Sequence, residues 1–141
     1  MGTLFESILS GQIPSHSVAQ GESWYAFLDI FPRRQGHTLV IPRRAVQRLS
    51  ELNPVELGGL MEGVTAVQER LGNHFSTSDF TVCLHDGPLA GQEVPHVHFH
   101  VIPRTEGDGG GTLMSMWPKT IHAEPDHDSL ASLATSLQEL N

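Results

Sequence analysis

One run of this chain, Pro95-His96-Val97-His98-Phe99-His100-Val101-Ile102-Pro103, limits its fold more than any other. Histidine alternates there with apolar residues that favour strands. Side chains on a strand alternate between faces with a period of two. His96, His98 and His100 therefore share one face, while Val97, Phe99 and Val101 point the other way into a core. Such a strand belongs in a sheet with a buried face, and it presents its imidazoles in a row on a rigid support. Imidazole has an unperturbed pKa of about 6.5, so at neutral pH the row supplies nucleophiles and proton carriers.

The remaining sequence is a modest frame for that strand. Its 141 residues make one domain's worth of chain, and an apolar fraction of 38% can build a single core. The single cysteine, Cys83, excludes an internal disulfide and a Cys-x-x-Cys zinc site. Its apolar setting, Phe80-Thr81-Val82-Cys83-Leu84, reads as that of a small buried filler. The N-terminus has no basic region followed by a long apolar stretch, and no run approaches the roughly 18 residues that span a bilayer. The expectation is a soluble, cytoplasmic protein without a membrane partner. A formal net charge of −8, from 8 basic and 16 acidic residues, opposes general binding to nucleic acid. Arg33, Arg34, Arg43, Arg44 and Arg48 are nonetheless crowded together, either as a solvated loop surface or as a local patch that attracts phosphate.

The pattern predicts a short helix over Leu4–Ser10 ended by Gly11, and strands at Val18–Gln20, Ser23–Ile30 and His37–Ile41. Asn53, Pro54 and Glu56 mark the start of a long helix reaching about His74, with Leu57, Leu60, Met61, Val64, Val67 and Leu71 on its stripe. Gly58-Gly59 weakens its first turns or lets it approach a sheet. A strand over Phe80–Leu84, a turn-rich loop from His85 to Pro95, the histidine strand, a Gly-rich segment and a helix over Asp128–Leu140 complete the chain. This order predicts an α+β domain with a mainly antiparallel sheet.

The histidine row admits three chemistries. Positions two apart on a strand are separated by roughly 6.8 Å at their bases, and four apart by roughly 13 Å. Two of the histidines, but hardly all three, can therefore converge on one zinc, with His37, His85 or Glu93 as a further ligand. A solvated strand face is the second reading. The third is nucleophilic attack on phosphorus by a neutral imidazole, for which the central His98 is best placed. Its other ring nitrogen then needs an acceptor, such as a backbone carbonyl, to fix the tautomer. Charge on the phosphate oxygens needs fixed donors, and Gly87, Gly91 and the residues after Gln92 can present backbone N–H groups at close range.

The segment Gly91-Gln92-Glu93-Val94-Pro95 followed by His-φ-His-φ-His-φ-φ, with φ apolar, closely resembles the motif of the histidine triad (HIT) family. Gly11-Gln12-Ile13-Pro14, Ala26-Phe27-Leu28-Asp29-Ile30 and Gly36-His37-Thr38-Leu39-Val40-Ile41-Pro42 resemble family segments in the expected order, so the likeness spans about residues 4 to 104. It implies a HIT-like α+β fold with a five-stranded antiparallel sheet, one long helix and a short N-terminal helix. It also implies a homodimer that binds a purine nucleotide and reacts at the α-phosphate. Under it His98 is the nucleophile, His96 and His100 flank the phosphate, and His37 supports them. Gln92 and the loop from Gly91 to Val94 hold phosphate oxygens or the leaving group. Asp29 binds the ribose hydroxyls, and Leu4, Phe5, Ile8, Phe27, Ile30 and Leu39 form the base pocket.

The sequence also departs from the pattern. Thr3 and Glu6 stand where some relatives carry a zinc-binding cysteine pair, so no metal is expected. His85-Asp86 stand where many relatives have asparagines just before the glycine of the phosphate loop, so the family's ligand contact is not carried over there, and His85 is expected to alter leaving-group preference. Other segments divide between the branch that hydrolyses dinucleoside polyphosphates and the phosphoramidase branch. The expectation is a nucleotidyl hydrolase or transferase releasing AMP through a nucleotidyl-histidine, without a cofactor, magnesium entering only with a polyphosphate substrate. A nucleotide-binding adaptor with little turnover is the rival. Residues 1–104 are expected to form the HIT domain, with 105–141 a Gly-rich loop and helical tail packed on it. His16, His74, His122 and His127 have no motif context and are expected at the surface.

Overall fold

The computed structural model describes residues 2–120 and 124–139. Five strands, β1 (Ser17–Gln20), β2 (Trp24–Leu28), β3 (Thr38–Pro42), β4 (Phe80–Leu84) and β5 (Phe99–Pro103), form one antiparallel sheet in the order β1-β2-β3-β5-β4. Helix α1 (Leu4–Leu9) precedes the sheet, α2 (Pro54–Phe75) connects β3 to β4, and α3 (His127–Gln138) follows β5. The α+β class, the five-stranded sheet and the helices agree with the sequence reading.

The sheet carries a core on each face. On one, Leu60, Val64, Val67 and Leu71 of α2 pack with Trp24, Ala26, Val40, Val97 and Val101. Gly63 lets the helix come close, since a Cβ there would lie 2.8 Å from both the Trp24 ring and Val40. Of the pair expected to play that part, Gly58 has open space around it and Gly59 lies against Ser23. The capping box of Asn53 and Glu56 is formed, and α2 ends at Ser76 in the left-handed conformation. On the other face Phe5 of α1 joins Phe27, Leu39 and Ile41, with Ile8, Tyr25 and Val94 packed against them.

Two strands are shorter than the sequence suggests. β2 stops at Leu28, so Asp29 and Ile30 lie beyond it. β5 begins at Phe99, so His96 and His98 precede the ladder. Pro42, which would face this stretch, has no N–H to offer, and its carbonyl is taken by the His96 ring. The His96 and Val97 N–H groups instead reach the Val94 and Val46 carbonyls, both at 2.8 Å. The alternation of faces survives nonetheless: Val97 and Val101 are fully buried against α2, and the histidines lie on the side of α1.

Cys83 is half-buried in β4. His16, His74 and His127 are exposed, and His122 lies outside the described residues, as does Leu140 of the expected terminal stripe. The chain divides into two compact units, 1–110 and 111–141. The loop after β5 is tied to the first unit by Asp108, which accepts hydrogen bonds from Arg104 and from the Thr105 and Gly110 N–H groups. Within the second unit α3 presents Leu130, Leu133 and Leu137 on its surface. Among the described residues no helix is long and apolar enough to cross a membrane.

Candidate active site

The head of β5, the start of β3 and the loop after β4 bring together His37, His85, His96, His98 and His100. Hydrogen bonds to groups of known polarity fix the protons on most of these rings. His98 Nδ1 lies 2.8 Å from the His96 carbonyl oxygen. A carbonyl only accepts, so Nδ1 carries the proton and Nε2 keeps its lone pair. That lone pair meets no partner among the described residues. The His98 ring is held by Phe5, whose ring meets it edge-on at 5.1 Å between centroids.

A second chain of bonds orients His100. The Arg33 N–H donates to His37 Nδ1 at 3.1 Å, which places the His37 proton on Nε2. Nε2 lies 2.9 Å from His100 Nδ1 and donates to it, so the His100 proton is on its own Nε2. That N–H is buried and has no partner among the described residues. An unpaired buried donor costs about 1–3 kcal/mol, and it marks the place where an acceptor oxygen would bind.

His96 has a different place from the expected one. It is fully buried, its Nε2 donates to the Pro42 carbonyl at 2.9 Å, and its Nδ1 lies 3.0 Å from Thr3 Oγ1. With both nitrogens engaged it has no donor left for a phosphate; it fixes the carbonyl that holds His98. Thr3 also caps α1, accepting from the Glu6 N–H at 3.1 Å while Glu6 Oε1 accepts from the Thr3 N–H at 2.8 Å. Where a zinc-binding pair stands in some relatives, this chain has a capping box joined to a histidine of the row. The Thr-x-x-Glu spacing was the readable sign of that cap. Nothing in the sequence announced the Arg33 N–H or the Pro42 carbonyl.

Burial keeps the row neutral. It lowers the pKa of His37, His96 and His98, and it drives His100 down to about 4, helped by His98, His37 and His85 nearby. Protonation of His100 is therefore easier in the unfolded chain, and its contribution to stability is complete above about pH 6.5 and lost as pH falls towards 4. The paired carboxylate Glu56, held at about 2 by Arg44 and the helix cap, acts only at lower pH. The urea midpoint should fall between pH 6.5 and 4, and His100→Gln should flatten that fall.

The other expected residues divide. Phe5, Phe27 and Leu39 are buried in the α1-side core, with Ile8 and Val94 packed on it, whereas Leu4 is half exposed and Ile30 is 70% exposed, outside the cluster. Asp29 both starts a turn, its Oδ1 accepting from the Phe31 N–H at 2.9 Å, and brings Oδ2 to 3.7 Å from His37 Nε2. Gln92 is buried, its amide donating to the Gln47 carbonyl and leaving Oε1 unpaired. Gly87 and Gly91 both have positive φ, and they shape the loop around a short turn at Pro88–Ala90. A hollow of about 320 Å³ lined by Ile8, Ile13, Tyr25 and Arg43 contains none of the five histidines.

Asp29, His37 and His100 hold donor atoms within 4.8 Å of one another, a spacing that suits a metal ion. The tautomers oppose this use. His37 Nε2 carries a proton because Nδ1 accepts from Arg33, so a cation would have to expel that proton and break the bond to His100. The arginine cluster is dispersed: Arg34 pairs with Asp108, Arg43 with Gln20 and Arg44 with Glu56.

Known proteins resemble this chain in sequence and fold. The HIT domain family model matches residues 10–107. An adenosine 5'-monophosphoramidase of Saccharomyces cerevisiae is 34% identical over 134 residues, covering 95% of this chain and 79% of that protein. An asymmetrical bis(5'-nucleosyl)-tetraphosphatase of Schizosaccharomyces pombe is 48% identical over 83 residues, covering 59% of this chain and 46% of that enzyme. The crystal structure of a HIT family protein from Bacillus subtilis superposes with a TM-score of 0.82 at 29% identity, covering 100% of this chain and 99% of that one. A domain match over most of the sequence, on this fold and with this row of histidines, leads to one conclusion: the chain belongs to the histidine triad (HIT) family.

Proposed function

We propose that this chain is a nucleotidyl hydrolase or transferase acting at the α-phosphate of adenosine or other purine nucleotide conjugates. The lone pair on His98 Nε2 attacks phosphorus, and the bond from phosphorus to the leaving group breaks, its electron pair departing with that group. The nucleotidyl-histidine so formed carries positive charge on the ring, which the His96 carbonyl stabilises through the Nδ1–H. Water then breaks the N–P bond and releases AMP. The His100 Nε2–H donates to a phosphate oxygen, and Asp29 Oδ2 accepts from the ribose.

The fixed tautomer of His98 carries this reading, because it leaves a lone pair on Nε2, for which that ring has no partner among the described residues. The lowered pKa keeps that lone pair available at neutral pH. The names of the two yeast relatives, a phosphoramidase and a dinucleoside tetraphosphatase, support hydrolysis of nucleotide conjugates with different leaving groups. The test is stereochemical. With a substrate chiral at an α-phosphorothioate and hydrolysis in labelled water, two in-line displacements give retention at phosphorus. Inversion would mean direct attack by water and would remove the covalent step.

A further inference from the structure

The carbonyl that fixes the His98 tautomer lies outside the sheet ladder. The pairing of β3 with β5 ends at Val40 and Phe99, so the ladder does not hold residue 96. The Val97 N–H on the Val46 carbonyl steadies that peptide from the loop after β3. The His96 N–H reaches only two residues back, to the Val94 carbonyl. Further hold on this residue comes through its own side chain.

The His96 ring is tied to two segments distant in sequence. Nε2 meets the Pro42 carbonyl 54 positions away, and Nδ1 meets the Thr3 hydroxyl 93 positions away. The directions of both bonds follow from the groups. A carbonyl only accepts, so the neutral ring carries its proton on Nε2 and its lone pair on Nδ1. Thr3 must therefore donate. Its Oγ1 already accepts from the Glu6 N–H at 3.1 Å, which leaves the hydroxyl proton for the ring.

The same residue begins α1, a helix of six residues and too short to persist without tertiary support. Two residues on, the Phe5 ring meets His96 edge-on at 5.6 Å and His98 at 5.1 Å between centroids. The hydroxyl thus joins the helix that packs on the attacking ring to the residue whose carbonyl orients that ring.

Resting on the nucleotidyl-transfer reading, we propose that Thr3 is a positioning residue for His98. Its O–H holds the His96 ring in one tautomer and one orientation. With that ring fixed, the His96 carbonyl stays on the His98 Nδ1–H, and Nε2 stays aimed at phosphorus. Thr3 does not touch the nucleotide, so it acts on kcat rather than on nucleotide binding. Capping of α1 uses the same oxygen as an acceptor; positioning uses the hydroxyl as a donor, and the two roles can be separated.

The test measures kcat for adenosine 5'-phosphoramidate and AMP affinity in three variants, with far-UV circular dichroism as the check on folding. Thr3→Val removes the hydroxyl at nearly constant shape and should lower kcat about tenfold, with the Kd for AMP within threefold of wild type. Thr3→Ser keeps the donor and should lose less than threefold. Glu6→Ala removes the other half of the capping box but leaves the hydroxyl, and it too should lose less than threefold. A loss under threefold in Thr3→Val, or over threefold in either of the others, overturns the proposal, as does AMP binding weakened more than threefold in Thr3→Val. Nitrogen-15 spectra of the wild-type histidine rings give a measure that needs no variant: the His96 proton should be on Nε2, and a proton on Nδ1 overturns the proposal. A wild type that turns over neither the phosphoramidate nor diadenosine tetraphosphate overturns the nucleotidyl-transfer reading and the positioning role with it, whereas wild-type turnover with an unaffected Thr3→Val overturns the positioning role alone.

Discussion

His98→Asn should reduce turnover by four or more powers of ten while AMP affinity stays within about tenfold, or 1.4 kcal/mol. The loss is large because neither neighbour in the row can replace the missing lone pair. His96 has both nitrogens engaged, and the free nitrogen of His100 carries a proton. Binding should survive because Phe27, Leu39 and Asp29 lie on other elements and do not depend on the ring. Steady-state rates together with calorimetric titration by AMP check both halves. Normal rates in this variant would place the nucleophile elsewhere; loss of AMP binding together with turnover would show that the ring organises the site rather than reacting.

The relay from Arg33 through His37 to His100 makes the second prediction. His100→Ala removes a donor aimed at the phosphate, and a single donor of this kind is worth about 10²–10³ in kcat. His37→Ala leaves that donor in place but frees its tautomer, so a smaller loss of about tenfold or more is expected. Because His37 acts only through His100, the double variant should be no slower than His100→Ala. Multiplying losses would mean that His37 touches the substrate independently. Rescue by His37→Gln, whose amide can donate at the same point, would separate tautomer control from simple packing.

Much of this arrangement could be read from the chain because it rests on local rules. Alternation sorted Val97 and Val101 from the histidines, and Asn53, Pro54 and Glu56 announced the start of α2. What escaped was set by backbone groups distant in sequence. The Pro42 carbonyl turned His96 from a phosphate contact into a support, and the Arg33 N–H chose the tautomer of two rings. Ile30 lies beyond β2, which ends at Leu28, so strand alternation does not govern its side chain. Periodicity places side chains on faces, but it cannot state which carbonyl a ring will meet.

The position of β5 has a consequence for how this molecule matures. It is the last strand in the chain, yet it lies between β3 and β4, so β4 has no neighbour in the sheet until β5 arrives. The contact between His37 and His100 spans 63 positions and closes in the same event. Long-range pairings of this kind form late and slowly. A ribosome-bound chain that has not yet released β5 thus holds no assembled reactive centre, and the gain of chemistry coincides with completion of the β-sheet.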